Sequence, residues 1–248
     1  MDALILAAGK ASRLGLPKFL LPAGPGYVLL TRVLELALQT ADGQIIVALG
    51  REEDKARWVL DNWMWPENAG RVLLVSNPDY KAGLSTSLRK GVEQLPGSRG
   101  VLILLADQPA LDAEKLRQLR KPYESGDVWA VSAAENGEPK PPVMLGPEFL
   151  ALVGELEGDQ GAKPLFKRHP ERVRLLEWGS GEWFTDVDTW ETYAELARAQ
   201  GWDREEFEPL QALSGTKELE ALLDTIPEPR EYLETLRQGV LTLLTRGF

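Results

Sequence analysis

The chain has 248 residues, 44% of them hydrophobic and 27% charged, which is enough apolar content to bury a full core and too much for a disordered chain. Its net charge of -10 gives nonspecific nucleic-acid binding no electrostatic footprint. With no cysteine, disulfides and thiolate metal sites are excluded, and with His169 as the single histidine neither a Ser-His-Asp triad nor a multi-histidine site is expected. A catalytic metal would therefore have to be a hard ion held by carboxylates, magnesium first among them.

Ala3–Leu6 is a short apolar run that predicts a first buried strand, and it breaks into Ala7, Ala8 and Gly9. A loop with Ser12, Arg13, Gly15 and Lys18 follows. Strand, glycine turn and then two cations is what seats a polyphosphate, because glycine lets backbone N–H groups approach the anion while Arg13 and Lys18 neutralise it. Taken alone, these residues also suit an ordinary strand-to-helix loop with incidental cations. The stretch is neither a Walker A loop, since Gly9-Lys10-Ala11-Ser12 has the dipeptide at the wrong end, nor a G-x-G-x-x-G fingerprint.

Beyond this loop, apolar spacing predicts helices over 28–38, 52–63, 85–94 and 113–120, and another starting in 147–155. Strands are predicted over 44–49, 72–76, 101–105 and 128–133, with the wholly apolar 101–105 run central in the sheet. This alternation predicts an α/β fold, a Rossmann-like, largely parallel sheet with helices on both faces. Ligands of such sheets bind beyond the carboxyl ends of the strands, where Gly9, Asn77 and Asp107 fall. Residues 1–199 form one expected domain. After it the strand signal stops, and helical pieces over 204–213, 216–224 and 230–244 make a C-terminal extension, 200–248, read as a packing or oligomerisation arm. Its last apolar stripe needs burial on the parent domain or on a second copy, and a homodimer through these helices is the favoured expectation. No apolar run reaches membrane-spanning length and no charged segment precedes a signal-type core, so a soluble cytoplasmic protein without membrane partners is expected.

Three further stretches carry polar residues at strand ends. In Leu104-Leu105-Ala106-Asp107-Gln108-Pro109 the aspartate follows an apolar strand directly and faces the ligand crevice, while Pro109 stiffens its turn. Asp107 could instead cap the next helix, a role Asp112 fits better by position. In Phe184-Thr185-Asp186-Val187-Asp188-Thr189, an Asp-x-Asp pair on a strand would point both carboxylates to one face, which suits a nearby cation; a helix N-cap at Asp188 or Thr189 is the alternative. In the 77–88 segment Gly83 admits close approach, and Ser85–Ser87 open a helix whose free N–H groups could meet a polar ligand. By itself that segment is a plain turn and cap.

Read together, five stretches resemble one family. Leu6-Ala7-Ala8-Gly9-Lys10-Ala11-Ser12-Arg13-Leu14-Gly15-Leu16-Pro17-Lys18 is similar to the L-A-A-G-x-S-x-R-x-G-x-x-K signature of nucleotidyltransferases on a Rossmann-like fold, with one extra residue before Ser12. The 104–109 segment resembles their L-x-D-x-P motif, and 186–192 resembles D-I-D-T-P-E-D, with Trp190 and Thr192 replacing a proline and an acid. Asn77, Gly83, Ser87 and Leu88 match an N-x-x-x-x-x-G-x-x-x-S-L element, and Gly158-Asp159-Gln160-Gly161-Ala162-Lys163 is similar to G-D-x-G-A-R. The chain thus resembles the MobA-like NTP transferases of the nucleotide-diphospho-sugar transferase superfamily, closest to the molybdenum-cofactor cytidylyltransferases. It departs from them at Pro141-Pro142-Val143, which lacks the acceptor-side histidine.

The resemblance implies a magnesium-dependent transfer of a nucleoside monophosphate from a triphosphate to a phosphate-bearing acceptor, the molybdopterin cofactor, with release of pyrophosphate. It implies that Asp107 and Asp188 bind Mg2+, that Arg13 holds the β and γ phosphates, and that Lys18 meets the charge at the α-phosphate. The Ala7-Ala8-Gly9 backbone would read the base, and Ala8, where guanylyl enzymes tend to carry glycine, implies CTP. Leu6, Ser12, Asn77, Gly83 and Ser87 would complete the nucleotide site. The alternatives are a sugar-1-phosphate nucleotidyltransferase and a non-catalytic cofactor-binding maturation factor of the same fold.

Overall fold

Four short apolar runs form parallel strands, β1 (Asp2–Ala7), β2 (Ile45–Leu49), β3 (Val72–Ser76) and β4 (Val101–Leu105). Helices α1 (Leu29–Thr40), α2 (Glu53–Trp63) and α3 (Leu84–Val92) return the chain between them, and α4 (Ala113–Glu124) follows β4. The structure, a computed structural model, describes residues 1–9, 14, 16–24, 26–63, 68, 70–202, 217, 221 and 222. The second half supplies β5 (Ala130–Glu135), β6 (Glu138–Leu145), α5 (Pro147–Leu150), α6 (Lys163–Arg168), β7 (Val173–Glu177) and α7 (Trp190–Ala199).

The seven strands lie in the order β3-β2-β1-β4-β6-β5-β7, and only β6 runs against the rest. Alternate residues of each central strand serve opposite faces, as the two-residue period of a strand requires. Ala3, Ile5, Leu102 and Leu104 join one core with α1, α2, α4 and α7, whereas Leu4, Leu6, Val101 and Ile103 join a second with α3, α5 and α6. A strand buried on both faces has to be apolar throughout, which is why these runs were legible.

Two strands have no counterpart in the sequence reading. β6 carries Pro139, Pro141 and Pro142, which cannot donate to a ladder, and its pairing with β4 is confined to Val143–Leu145. It follows β5 through Asn136-Gly137, with φ of 53° and 77°, the backbone that a two-residue hairpin demands. The Glu177 carboxylate at the end of β7 accepts the N–H groups of Asn136, Gly137 and Gly179, which hold it below the usual carboxylate range. The helix expected over 147–155 is one turn, α5, then a 3-10 turn at Val153–Glu155. His169 is half-buried, with its ring 5.3 Å from that of Trp129 and 6.0 Å from that of Phe149.

Trp202 closes the described domain. It is buried, its ring lies 6.3 Å from that of Tyr193, and a Cβ on Gly24 would touch it at 3.4 Å. The helical pieces expected at 204–213, 216–224 and 230–244 lie outside the described residues, apart from Lys217, Ala221 and Leu222. Leu222 packs against the first core. Among the described residues no helix is long and apolar enough to cross a membrane.

Candidate functional site

The strand order reverses between β1 and β4: the chain runs outward from β1 to β2 and β3 on one side and resumes at β4 on the other. Parallel sheets open a crevice at such a point, and here a cavity of about 290 Å³ lies against the ends of both strands.

Its cation end is built from three distant segments. Lys18 begins a 3-10 turn anchored by buried Phe19 and Leu20, so its stem is fixed and its ammonium reaches the crevice. That ammonium donates to the Asp107 carboxylate and, at 3.0 Å, to Asp188 Oδ1. Burial alone would lower the Lys18 pKa, but the Asp107 charge and the hydrogen bonds to both aspartates outweigh it and raise it above the ordinary lysine value.

Asp107 follows β4, where the Ala106 N–H donates to the Leu6 carbonyl at 3.2 Å and ties the turn to β1. The Val187 N–H donates to the Asp107 carbonyl at 3.0 Å, which docks the 186–188 segment onto the same turn. This segment is not a strand, contrary to expectation. It nevertheless alternates, with Val187 fully buried and both aspartates exposed. Asp186 accepts from Gln108 Nε2 at 2.8 Å in a part-buried bond; although the residue as a whole is exposed, desolvation of that carboxyl and then the Asp107 charge push it above the usual carboxylate range.

The two competing cap readings resolve locally. Asp112 Oδ1 accepts the Lys115 N–H at 2.7 Å and caps α4. Thr189 caps α7 in a reciprocal pair with Thr192. Asp107 and Asp188 are thus left for the crevice, and both reach one positive atom. Two carboxylates converging on one point, with only oxygen donors, fit a hard divalent ion; among the described residues no cluster of three acidic or histidine side chains adds to them.

The opposite wall comes from the loop after β3 and from the 158–159 turn. Gly83 has φ of 115°, and a Cβ there would lie 2.4 Å from the Gly158 carbonyl carbon, so only glycine permits this approach. Gly158 and Asp159 then take the first two N–H groups of α3: Ser85 N–H donates to the Gly158 carbonyl at 3.0 Å and Leu84 N–H to Asp159 Oδ1 at 3.0 Å. The expectation of free N–H groups over Ser85–Ser87 is corrected at Ser85 and at Thr86, whose N–H donates to the Gly83 carbonyl at 3.2 Å.

Asn77 is also corrected. It is 1% exposed, its amide donates to Thr86 Oγ1 at 2.9 Å and Ser87 Oγ at 2.8 Å, and its carbonyl accepts from the Asp79 N–H at 3.1 Å. A side chain so fully partnered holds the loop onto α3 and stands behind the cavity wall.

Of the residues singled out from sequence, Leu6, Ala7, Ala8, Gly9, Lys18, Gly83, Ser87 and Asp107 line the cavity. Asp188 reaches it through Lys18, and Ser12 and Arg13 lie outside the described residues. Phe19, Tyr80, Leu84, Leu105, Ala106 and Asp159 line it without having been singled out as site residues. Of these, Leu105 and Ala106 belong to the 104–109 motif and Asp159 to the 158–163 motif.

The MobA-like NTP transferase domain matches residues 3–173. "Purine catabolism protein PucB" of Bacillus subtilis is 30% identical over 199 residues, 79% of this chain and 95% of that protein. "Nicotine blue oxidoreductase" of Paenarthrobacter nicotinovorans is 26% identical across 75% of this chain and 91% of its own length. The "Molybdenum cofactor cytidylyltransferase" of Escherichia coli is 29% identical, covering 58% of this chain and 69% of that protein. Among solved structures, Rv0371c of Mycobacterium tuberculosis in complex with manganese superposes with a TM-score of 0.62 at 25% identity, across 80% of this chain and 98% of that one.

Proposed function

The chain belongs to the MobA-like NTP transferase family, and from that membership we propose that this nucleotidyltransferase transfers CMP from CTP to the phosphate of a molybdopterin-type acceptor. In that reaction an oxygen of the acceptor phosphate attacks the α-phosphorus, a new P–O bond forms, and the bond to the β-phosphate oxygen breaks as pyrophosphate leaves. The observation that carries this reading is the convergence of Asp107 and Asp188 on one cation at the strand-order reversal. The relatives' names point to several physiological settings, so the acceptor rests on the motif resemblance and on the cytidylyltransferase among them.

The residues divide the work between charge and position. Asp107 and Asp188 would hold Mg2+, in keeping with the manganese bound by the Rv0371c protein. The ion would offset negative charge where acceptor and triphosphate meet. Lys18 shares these carboxylates, so with a metal held there its ammonium would be available to offset the negative charge of the triphosphate. Ala7, Ala8 and Gly9 would present backbone to the nucleotide, with Gly9 beside the Lys18 stem, where a Cβ would make only an ordinary contact at 3.7 Å. Arg13 is assigned the β and γ phosphates by the family signature. Residues 1–199 are read as the catalytic domain and the remainder as an appendage.

Pyrophosphate release with CTP, GTP, UTP and ATP, each with and without reduced molybdopterin cofactor, tests the proposal. Release that requires both CTP and the cofactor is expected. Release with none of the four would overturn it.

A further inference from the structure

Asp159 places a negative charge in the wall of a cavity read as a triphosphate site. Two bonds fix it there, from Leu84 N–H to its Oδ1 and from Ser85 N–H to the preceding Gly158 carbonyl. The close packing of Gly83 on Gly158 prevents the turn from settling elsewhere. Asp159 is exposed and lines the cavity, its second carboxylate oxygen has no hydrogen-bond partner among the described residues, and a carboxylate oxygen can only accept.

A helix cap does not require a charge here, because serine, threonine or asparagine caps about as well. Beside a polyphosphate a carboxylate would also repel the ligand. Both difficulties vanish if the phosphates and Asp159 occupy opposite ends of the cavity. Lys18 and Asp107 stand on the β4 side of β1. Tyr80 stands on the β2 side: a Cβ on Gly50, just after β2, would fall 2.8 Å from Tyr80 Cβ and 2.7 Å from Ala8 Cβ. The 80–84 loop that carries Tyr80 is the one clamped by Gly158 and Asp159.

We propose that Asp159 selects the base: its free oxygen accepts a hydrogen bond from an exocyclic amino group. The substrate is then a nucleoside triphosphate whose base carries such a group, cytosine first. Uracil and thymine present carbonyl oxygens at that edge, and their one ring N–H is flanked by carbonyls on both sides, so they meet the carboxylate acceptor to acceptor. This inference rests on the nucleotidyltransferase reading above and adds a charged side chain to the base recognition that the family resemblance implies for the Ala7-Ala8-Gly9 backbone.

Asp159→Asn keeps an oxygen for the Leu84 N–H and puts an amide donor where the free oxygen was. Calorimetric binding of CTP and UTP to the full-length protein with Mg2+ reads out the change. The parent protein is expected to favour CTP by about 10- to 100-fold, the scale of one hydrogen bond to a charged group. Asp159→Asn should narrow or reverse that ratio at an unchanged melting temperature. A CTP-to-UTP ratio equal in parent and variant overturns the proposal. The triphosphate of pyrimidin-2-one riboside, which lacks only the amino group of CTP, tests the parent protein directly should the variant not fold. It is expected to bind at least about tenfold more weakly than CTP, and equal binding overturns the proposal. A parent protein that binds no nucleoside triphosphate overturns instead the nucleotidyltransferase reading.

Discussion

Lys18→Met removes the ammonium shared by Asp107 and Asp188 while keeping a flexible apolar stem of similar length. In the nucleotide-free protein a divalent ion entering between these carboxylates has to displace that ammonium. The side chains of Lys18 and Asp107 are 13% and 20% exposed, and that of Asp188 is 50% exposed. A sheltered hydrogen bond between charged groups contributes about 1.5–3 kcal/mol. The half-exposed pair contributes roughly 0–1 kcal/mol. Displacement then costs the ion about 2 kcal/mol net, which at ~1.4 kcal/mol per factor of ten is about 30-fold in affinity. Mn2+ titration followed by electron paramagnetic resonance, without nucleotide, should accordingly show Lys18→Met binding about 30-fold more tightly than the parent protein. Turnover should move the other way, falling by roughly two to three orders of magnitude with the loss of one phosphate-facing donor. Mn2+ affinity that is unchanged or weaker would refute the idea that lysine and metal compete for one site.

Three further outcomes follow from named contacts. Asp107→Asn should lower turnover by at least about 100-fold with the fold retained at a modestly lower melting temperature, because the charged bond to Lys18 weakens while the Val187 bond to the Asp107 backbone survives; near-normal turnover removes Asp107 from the cation site. Gly83→Ala forces a Cβ to within 2.4 Å of the Gly158 carbonyl carbon at φ of 115°. It should cost about 2–3 kcal/mol in urea unfolding, and a loss below ~0.5 kcal/mol would show that the two loops are not clamped. Asn77→Ala breaks two buried bonds and one part-buried bond and should cost about 2–3 kcal/mol of stability while the folded fraction keeps its triphosphate affinity. A stable variant with weak binding would return Asn77 to the ligand.

What the sequence by itself determined was whatever depends on local period and residue type. Apolar runs of four to six residues read as β1 to β4, and the amphipathic segments between them read as helices; β1, β2 and β4 are apolar because both of their faces are buried, whereas β3 lies at the sheet edge with Leu73 exposed. Gly9 and Asp107 follow from these strands, since the chemistry sits at their carboxyl ends. The cap at Asp112 was legible for the same reason, being a contact across three residues. β6 was missed because its prolines contradict strand chemistry, although Asn136-Gly137 announced the hairpin.

Only the tertiary structure decided where polar side chains turn. Asn77 faces inward because Thr86 and Ser87 present hydroxyls to it, and the first N–H groups of α3 are closed by a turn 75 residues away. Lys18 meets Asp107 across 89 positions and Asp188 across 170. A buried polar group must find a partner wherever the folded chain offers one, and a partner so distant leaves no trace in local spacing. For that reason the sequence could name both aspartates and the lysine, but only the fold could place the lysine between them.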